Sequence, residues 1–406
     1  MIKREDYIEK IRPFFNTDLI KVITGVRRGG KSVMLELVKS ALIENGAKEN
    51  QFIKLNFEEL DNEELKNYKT LHRYLSNKIS EINGSAYLLL DEIQEVENWE
   101  KCVNSLRVKT NCDIYITGSN AKMLSSELST LISGRYIKFV VYPFSFAEYL
   151  CLNKKEQKRD NAMKYVYKSY FEKYIEFGGM PFLSMLNYQK EPCKQYLEDL
   201  FSTIVLKDIM KRRQINEVDL LNRVITYAMG NIGKTFSANS ISKYFKSEKR
   251  TLHPDTILNY LSYCQEAFLL YKVSRKDIKD KKVLSVNEKY YIADHGLRQA
   301  VNKNNIKDIE VVLENIVYIE LLRRGYFVTV GKIGEKEIDF IAEKEGVLEY
   351  FQVCYLLVND QTINREFSVF KKVGDNFPKY VISMDEFDMS REGIIHKNII
   401  DWLTDK

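Results

Sequence analysis

The first 150 residues predict an α/β domain built on a parallel β-sheet, from three observations. Strand-like and helix-like segments alternate along this stretch, with strands at 19–24, 52–57, 86–90, 113–117 and 136–142 and helices at 32–43 and 71–82. The segment 86–90 is an unbroken apolar run, which is typical of a strand buried on both faces. A glycine-rich loop joins the first strand to the first helix. Strands that alternate with helices imply parallel pairing through helical crossovers.

Length and composition limit the class of protein. At about 100–200 residues per domain, the 406 residues predict two or three domains. The chain lacks an apolar run of about 18 residues, and its charged start does not resemble a signal peptide, so no membrane association is expected. The six cysteines are scattered without a CxxC pair, and the four histidines show no ligand spacing. This argues against a disulfide framework or a zinc site and predicts a cytoplasmic protein.

The pattern beyond residue 150 predicts three further segments. Residues 151–216 are mostly helical and form a lid or connector. Residues 217–290 contain three helix-like stretches followed by a β-ribbon, which is the pattern of a winged helix. Residues 291–406 combine a helix at 308–324 with strands and a further helix, as in a second α/β domain.

Positive charge is concentrated in the middle of the chain. Residues 1–150 are neutral overall, whereas residues 201–290 hold 17 basic and 9 acidic side chains, a net charge of +8. Residues 291–406 hold 15 basic and 20 acidic side chains, a net charge of −5. Any nucleic-acid contact is therefore expected in 201–290, although a solvated lysine-rich surface gives the same composition.

The glycine-rich loop matches the pattern GxxxxGK[ST], which cradles phosphates. The pattern follows a strand and opens a helix, so backbone N–H groups and the helix N-terminus would face a phosphate. Lys31 would reach the β- and γ-phosphates, and the Ser32 hydroxyl would bind Mg²⁺. The predicted nucleotide-binding residues are Gly25, Val26, Arg27, Arg28, Gly29, Gly30, Lys31, Ser32 and Val33. For Arg27 and Arg28, contact with phosphate or a partner subunit and a solvated loop remain equal alternatives.

Two carboxylates end the apolar strand at 86–90. Asp91 would support the Mg²⁺ ion, and Glu92 would orient or deprotonate the attacking water. The adjacent Asp-Glu pair favours an ATPase over a small GTPase, and the chain has no N-K-x-D guanine-recognition motif. The cofactors predicted are therefore ATP and Mg²⁺.

Three further residues are candidates for the hydrolytic site. Ser119 and Asn120 follow the strand at 113–117, where ATPases with an additional strand carry a polar γ-phosphate sensor; a simple Gly-Ser turn is the alternative. Arg135 precedes the last strand and is a candidate arginine finger for a neighbouring subunit's nucleotide, or else a plain surface arginine.

These residues and several later motifs carry a family likeness. The chain resembles the prokaryotic AAA-superfamily ATPases that couple an N-terminal ATPase domain to a C-terminal domain of unknown function. The matching stretches are GVRRGGKS (25–32), LLLDEIQEV (88–96), TGSN (117–120), YPFSFAEYL (142–150), GGMP (178–181), LKDIMKRRQI (206–215), ENIVYIELLRRGYFV (314–328), EIDFIA (337–342) and YFQVCY (350–355). The resemblance implies an AAA-type core of the additional-strand class, a winged helix and a C-terminal fold related to restriction endonucleases.

The nuclease-like segment departs from the motif of its implied fold. That motif needs an Asp on one strand and Glu-x-Lys on the next, to bind Mg²⁺ and assist a water. Asp339 fills the first position, but Gln352 and Cys354 stand at the second, with Glu314 or Glu320 as a further candidate ligand. An inactive structural or docking domain is therefore expected, and its acidic charge agrees.

The winged-helix segment also lacks a basic recognition helix. Residues 255–266 carry two acids and no basic side chain, whereas Lys276, Lys279, Lys281 and Lys282 fall in the predicted wing. Phosphate contacts without base recognition and a subunit-contact surface remain alternatives.

Three functions remain in view. The first is an oligomeric ATP-hydrolysing switch or motor with a DNA- or protein-binding C-terminal half. The second is an ATP-dependent nuclease that uses Asp339. The third is a slow nucleotide-gated sensor.

Overall fold

The computed structural model describes residues 2–121, 134–153, 162–215, 217–278, 283–302 and 305–405. They form two compact units, one of residues 1–143 with 266–268 and one of 144–265 with 269–406. The predicted domain boundaries at 150, 216 and 290 remain predictions. Within the described ranges, no helix is both long enough and apolar enough to cross a bilayer.

The first unit is a parallel sheet between two layers of helices. Its strands are β1 (Ile20–Thr24), β2 (Phe52–Asn56), β3 (Ala86–Asp91), β4 (Cys112–Gly118) and β5 (Tyr136–Val140). Its helices are α1 (Glu5–Ile11), α2 (Lys31–Glu44), α3 (Tyr68–Ser80) and α4 (Trp99–Lys109). The strand order is β2-β3-β4-β1-β5, all parallel. β4 therefore lies between the glycine-loop strand β1 and the Asp91 strand β3, and the predicted α/β fold with an additional strand is confirmed.

Both faces of this sheet are buried, because apolar side chains alternate to either side of the central strands. One face packs on α3 and α4 around Leu71, Leu75 and Leu106. The other packs on α1 and α2 around Ile11 and Leu35. The sheet is thus a rigid support for the loops at the carboxyl ends of its strands.

The second unit combines helices with an extended sheet. Its helices are α5 (Phe146–Asn153), α6 (Ala162–Phe177), α7 (Lys190–Thr203), α8 (Val218–Gly230), α9 (Ala238–Ser247), α10 (Pro254–Glu266), α11 (His295–Asn302), α12 (Ile309–Arg323), α13 (Asp360–Ser368) and α14 (Ile399–Thr404). Its strands are β6 (Thr235–Phe236), β7 (Leu270–Asp277), β8 (Val283–Ile292), β9 (Phe327–Ile333), β10 (Lys336–Lys344), β11 (Val347–Val353), β12 (Lys379–Ser383) and β13 (Ile395–Asn398).

One sheet joins the ribbon to the C-terminal strands. The order is β13-β12-β11-β10-β9-β7-β8-β6, and β7 pairs with β9 in parallel at Arg275, opposite Val330. The predicted ribbon strands and the C-terminal strands therefore share one hydrogen-bonded surface. A π-helix at Ile204–Lys211, which the sequence pattern did not predict, follows α7 directly. The wing lysines Lys279, Lys281 and Lys282 lie outside the described residues.

The GGMP motif forms a buried junction between α6 and α11. The Asp294 carboxylate accepts hydrogen bonds from the backbone N–H groups of Gly179 (2.7 Å) and Gly296 (2.9 Å). At Gly178, which has a φ of +79°, a Cβ atom would lie 2.1 Å from that carboxylate. Only glycine fits there, which explains why the motif has glycine at this position.

Candidate nucleotide-binding site

The glycine loop leaves the carboxyl end of β1 and turns tightly against β5. A Cβ atom on Gly25, whose φ is +149°, would lie 2.2 Å from the carbonyl oxygen of Val141. The turn thus depends on the missing side chain. Gly30 directly precedes α2, so the loop ends at the N-terminus of a fourteen-residue helix. Unpaired N–H groups at such a terminus favour an anion.

Four predicted site residues meet at this edge of the sheet. The Lys31 ammonium lies 3.4 Å from Glu92 Oε1 and 3.2 Å from the carbonyl oxygen of Val26. The side chains of Ser32 and Asp91 are hydrogen-bonded. Lys31, Asp91 and Glu92 are buried, whereas Ser32 is exposed, so the hydroxyl lies on the solvent side of a buried cation and two buried carboxylates.

The surroundings of Asp91 and Glu92 shift the pKa values of these two carboxyl groups in opposite directions. Burial raises the pKa of Asp91, and the hydrogen bonds from Ser32 and Thr117 offset this only in part. Burial also acts to raise the pKa of Glu92, but Lys31, Gln94 and Arg27 outweigh it, so the Glu92 pKa is lowered. Glu92 is therefore held as a carboxylate at neutral pH.

Ser119 and Asn120 lie at the end of β4, beside this group. Both are buried, at 1% and 9% exposure. Ser119 Oγ has no hydrogen-bond partner among the residues that the structure describes. A buried hydroxyl without a partner is costly in a folded protein, which fits a position that a further polar group would complete.

Arg135 lies at the opposite end of the sheet. Its carbonyl oxygen accepts a hydrogen bond from Ile20 N, at the start of β1. Its exposed side chain is 4.0 Å from Asp18. At about 3.3 Å per residue, the four steps along β1 separate this end from the glycine loop by about 13 Å. Arg135 therefore does not reach the loop of its own chain.

The loop residues Arg27, Arg28 and Val33 differ in their surroundings. The Arg27 guanidinium is 3.1 Å from Glu58, and Arg27 also acts on Glu92 electrostatically. Arg28 is exposed, in the left-handed backbone region at a φ of 59°. Val33 is 41% exposed on α2.

Sequence reasoning missed three residues that organise the site. Thr117 donates a hydrogen bond to Asp91 and accepts one from Glu92 N (2.9 Å). Gln94 donates one to Glu92. The buried Arg4 donates hydrogen bonds to the carbonyl oxygens of Gly29 (3.4 Å) and Tyr142 (2.8 Å). Of these three residues, only Thr117 could have been predicted from the sequence. Parallel pairing of β4 with β3 places Thr117 opposite Asp91.

A second cluster of charged residues surrounds Asp339 in the other unit. Glu314 belongs to it, whereas Glu320 pairs instead with Arg323 and Arg324 along α12. Gln352 Oε1 accepts a hydrogen bond from Asp339 N (3.3 Å). In the described part of the chain, no group of three or more His, Cys, Asp or Glu side chains is arranged to hold a metal ion.

The first unit's strand order and glycine loop define a P-loop, AAA-type ATPase domain. The comparisons agree: residues 17–150 match the family model described as "AAA domain", and residues 168–308 match a "Domain of unknown function (DUF8612)". Among solved structures, a Walker-type ATPase of Pyrococcus abyssi is similar over 74% of this chain and 95% of its own. Its TM-score is 0.50 at 14% identity, so the likeness concerns the fold.

Two uncharacterized proteins resemble the chain in sequence. The one from Haemophilus influenzae is 39% identical over 99% of this chain and 98% of its own length. The one from Methanocaldococcus jannaschii is 33% identical over 87% of this chain and 78% of its own length. The chain therefore belongs to the family of these two proteins.

Proposed function

We propose that the protein is a Mg²⁺-dependent ATP hydrolase that works as an oligomeric switch or motor, with a DNA- or protein-binding C-terminal half. The observation that carries the proposal is the meeting of Lys31, Ser32, Asp91 and Glu92 at the glycine loop. A cation for phosphate, two oxygen ligands and a carboxylate base are the parts that phosphoryl transfer to water requires.

The residues present fit ATP with Mg²⁺. The glycine loop turns tightly at Gly25 and ends at the N-terminus of α2, which favours an anion. The buried Ser119 hydroxyl lacks a partner among the described residues. The Ser32 hydroxyl and the Asp91 carboxylate are oxygen donors of the kind that Mg²⁺ prefers, and they would hold the ion. When bound, the ion neutralises charge on the phosphates.

Glu92 is suited to orient the attacking water and accept its proton. Its carboxylate is ionised at neutral pH because Lys31 and Gln94 oppose the effect of burial on its pKa. The backbone N–H of Glu92 is fixed by Thr117, so the side chain starts from a defined point. Ser119 and Asn120 at the adjacent strand end would contact the γ-phosphate.

The Lys31 ammonium has two uses that compete. It pairs with Glu92 at 3.4 Å, and the same ammonium would bind the β- and γ-phosphates of ATP. ATP binding would therefore draw Lys31 from Glu92 and free the base as the nucleotide arrives. A slow nucleotide-gated sensor, in which the same site binds ATP with little turnover, is the second candidate function.

Assembly would complete the site through Arg135. This guanidinium lies at the far end of its own sheet and is 57% exposed, so it is available to a neighbouring subunit's nucleotide. An arginine supplied in trans stabilises transition-state charge on the phosphates. Arg135 thus supports an oligomeric enzyme more readily than a monomeric one.

The C-terminal half offers a basic surface for the partner. The elements α8, β6, α9, α10, β7 and β8 follow each other in the order that a winged helix requires, and β6 pairs with β8. Lys243, Lys246 and Lys249 are exposed on or just after α9. The exposed face of α10 presents Leu258, Asn259 and Ser262, without a basic side chain. Phosphate contacts from α9 would thus dominate DNA binding.

The proposal is tested by measuring phosphate release with and without duplex DNA, alongside light scattering of the same samples. The switch or motor predicts ATP-dependent assembly and hydrolysis that a partner accelerates. The sensor predicts nucleotide-dependent assembly with little steady-state hydrolysis. Absence of ATP binding would refute both candidate functions.

A further inference from the structure

Lys289 lies among three carboxylates in the part of the second unit where a nuclease would bind its metal. The Lys289 ammonium is 3.1 Å from Glu314 Oε1, 2.6 Å from Glu337 Oε1 and 4.0 Å from Asp339 Oδ1. These carboxylates come from α12 and β10, whereas the lysine comes from β8. No sequence pattern indicated this lysine, because it lies outside both predicted nuclease motifs.

Strand geometry brings two of the three carboxylates together. Glu337 and Asp339 lie two residues apart on β10, so they share one face of the sheet. The pairing of β9 with β10 shifts register between Ile338 and Ile341, a β-bulge or irregularity in the stretch that contains Asp339. Bulges of this kind redirect a side chain locally, and this one lies at the centre of the cluster.

Each of the three carboxylates has a second protein donor as well. Asp339 Oδ2 accepts a hydrogen bond from Val353 N at 2.9 Å. Glu337 Oε2 accepts one from Arg275 at 3.2 Å. Glu314 Oε1 also accepts the hydroxyl hydrogen of Tyr291. A metal ion would have to displace these donors, and Lys289 above all.

Burial makes the lysine difficult to displace. Its side chain is only 4% exposed. Burial acts to lower the pKa of Lys289, but Glu314, Asp339 and Glu337 outweigh it, and the pKa is raised. The ammonium is therefore charged at neutral pH.

We propose that the Lys289 ammonium takes the place of the divalent cation in this nuclease-like cluster, which makes the C-terminal sheet a metal-independent module that does not cleave nucleic acid. Lys289 and Arg275 neutralise most of the charge of Glu314, Glu337 and Asp339. The cluster then ties β8, β10 and α12 together, as a structural metal would. The residues do not fit the Mg²⁺ chemistry that the resemblance implies. This inference is independent of the ATPase site.

The test removes the ammonium and asks whether a metal can replace it. Lys289→Met keeps the length of the side chain and leaves the carboxylates without their shared cation. We expect this variant to have a lower melting temperature, and Mn²⁺ in excess of its dissociation constant to restore about 5 °C. Lys289→Met combined with Asp339→Asn should lose part of that response.

Lys272→Met is the matched control, because Lys272 on neighbouring β7 is 40% exposed and pairs with Glu288. Its melting temperature should be close to that of wild type and should not rise when Mn²⁺ is added. If Lys289→Met folds and gains nothing from Mn²⁺, the proposal is wrong.

Wild-type protein gives a second test that does not depend on the variant folding. Nucleotide-free wild type and Asp339→Asn are titrated with Mn²⁺ and incubated with duplex and single-stranded DNA in Mg²⁺ or Mn²⁺. We expect identical Mn²⁺ binding and no cleavage by either. Mn²⁺ binding that is lost in Asp339→Asn, or DNA cleavage by wild type that is lost in Asp339→Asn, would overturn the proposal and make the cluster a nuclease site.

Discussion

Replacing Glu92 by glutamine separates ATP binding from ATP hydrolysis. Glu92→Gln removes the carboxylate that would accept the proton of water while keeping the shape of the side chain. General-base catalysis contributes about 10²- to 10⁴-fold to such rates. We therefore expect phosphate release to fall by about two to four orders of magnitude.

The same substitution should tighten ATP binding, because Lys31 loses its competing partner. At 3.4 Å and an effective dielectric constant of about 20, the Lys31–Glu92 attraction is about 5 kcal/mol. The cost of desolvating a buried pair offsets most of this. A net of about 1 kcal/mol would remain, which corresponds to about a fivefold lower dissociation constant for ATP.

The assay is equilibrium titration with a fluorescent ATP analogue, followed by steady-state phosphate release. Glu95→Gln is the matched control, because Glu95 lies in the same turn but is exposed. It should leave both quantities near wild type. Hydrolysis by Glu92→Gln at the wild-type rate would refute the role given to Glu92, and weaker ATP binding would refute the competition for Lys31.

Three further predictions concern residues around and beyond the site. Arg4→Ala should lower the free energy of unfolding by about 2–4 kcal/mol in urea titrations, because it leaves the carbonyl oxygens of Gly29 and Tyr142 without a buried charged donor; a change under 0.5 kcal/mol would contradict this. Arg135→Ala should lower hydrolysis by at least about 10³-fold at protein concentrations where subunits assemble, with ATP affinity unchanged; wild-type rates in the assembled state would make Arg135 a plain surface residue. Burial lowers the pKa of His295 despite neighbouring Asp294, so unfolding takes up a proton and stability falls as pH drops below about 6.5. Between pH 7 and 5.5, the free energy of unfolding in denaturant titrations should fall by about 1 kcal/mol less in His295→Gln than in wild type. Equal losses would contradict the lowered pKa of His295.

The parallel sheet and its phosphate loop could be predicted because the local sequence pattern of these segments directly determines where they lie in the fold. An apolar run such as 86–90 has one favourable environment, between two layers of helices. The meeting of Asp91 with the loop then follows from parallel pairing, since the carboxyl ends of parallel strands share one edge. The helix α4, between β3 and β4, had too irregular an apolar pattern to be recognised.

The residues that were missed act through distant contacts. Arg4 meets Gly29 and Tyr142, which lie 25 and 138 positions away in the sequence. Lys289 meets Glu337 across strands that are not neighbours in the chain. Such partners are brought together by tertiary packing, which no local periodicity encodes. The +8 charge of residues 201–290 was likewise only partly informative, because Lys289 and Arg275 are paired with acids from the C-terminal segment.

The most direct test of the central claim is the affinity of the protein for ATP with Mg²⁺ when Lys31 is replaced by alanine. Lys39→Ala is the matched control, since Lys39 lies on the same helix and pairs with Glu49. ATP binding should weaken at least about 100-fold in Lys31→Ala and stay at the wild-type level in Lys39→Ala. Equal affinities in all three proteins would contradict the assignment of this loop as the nucleotide site.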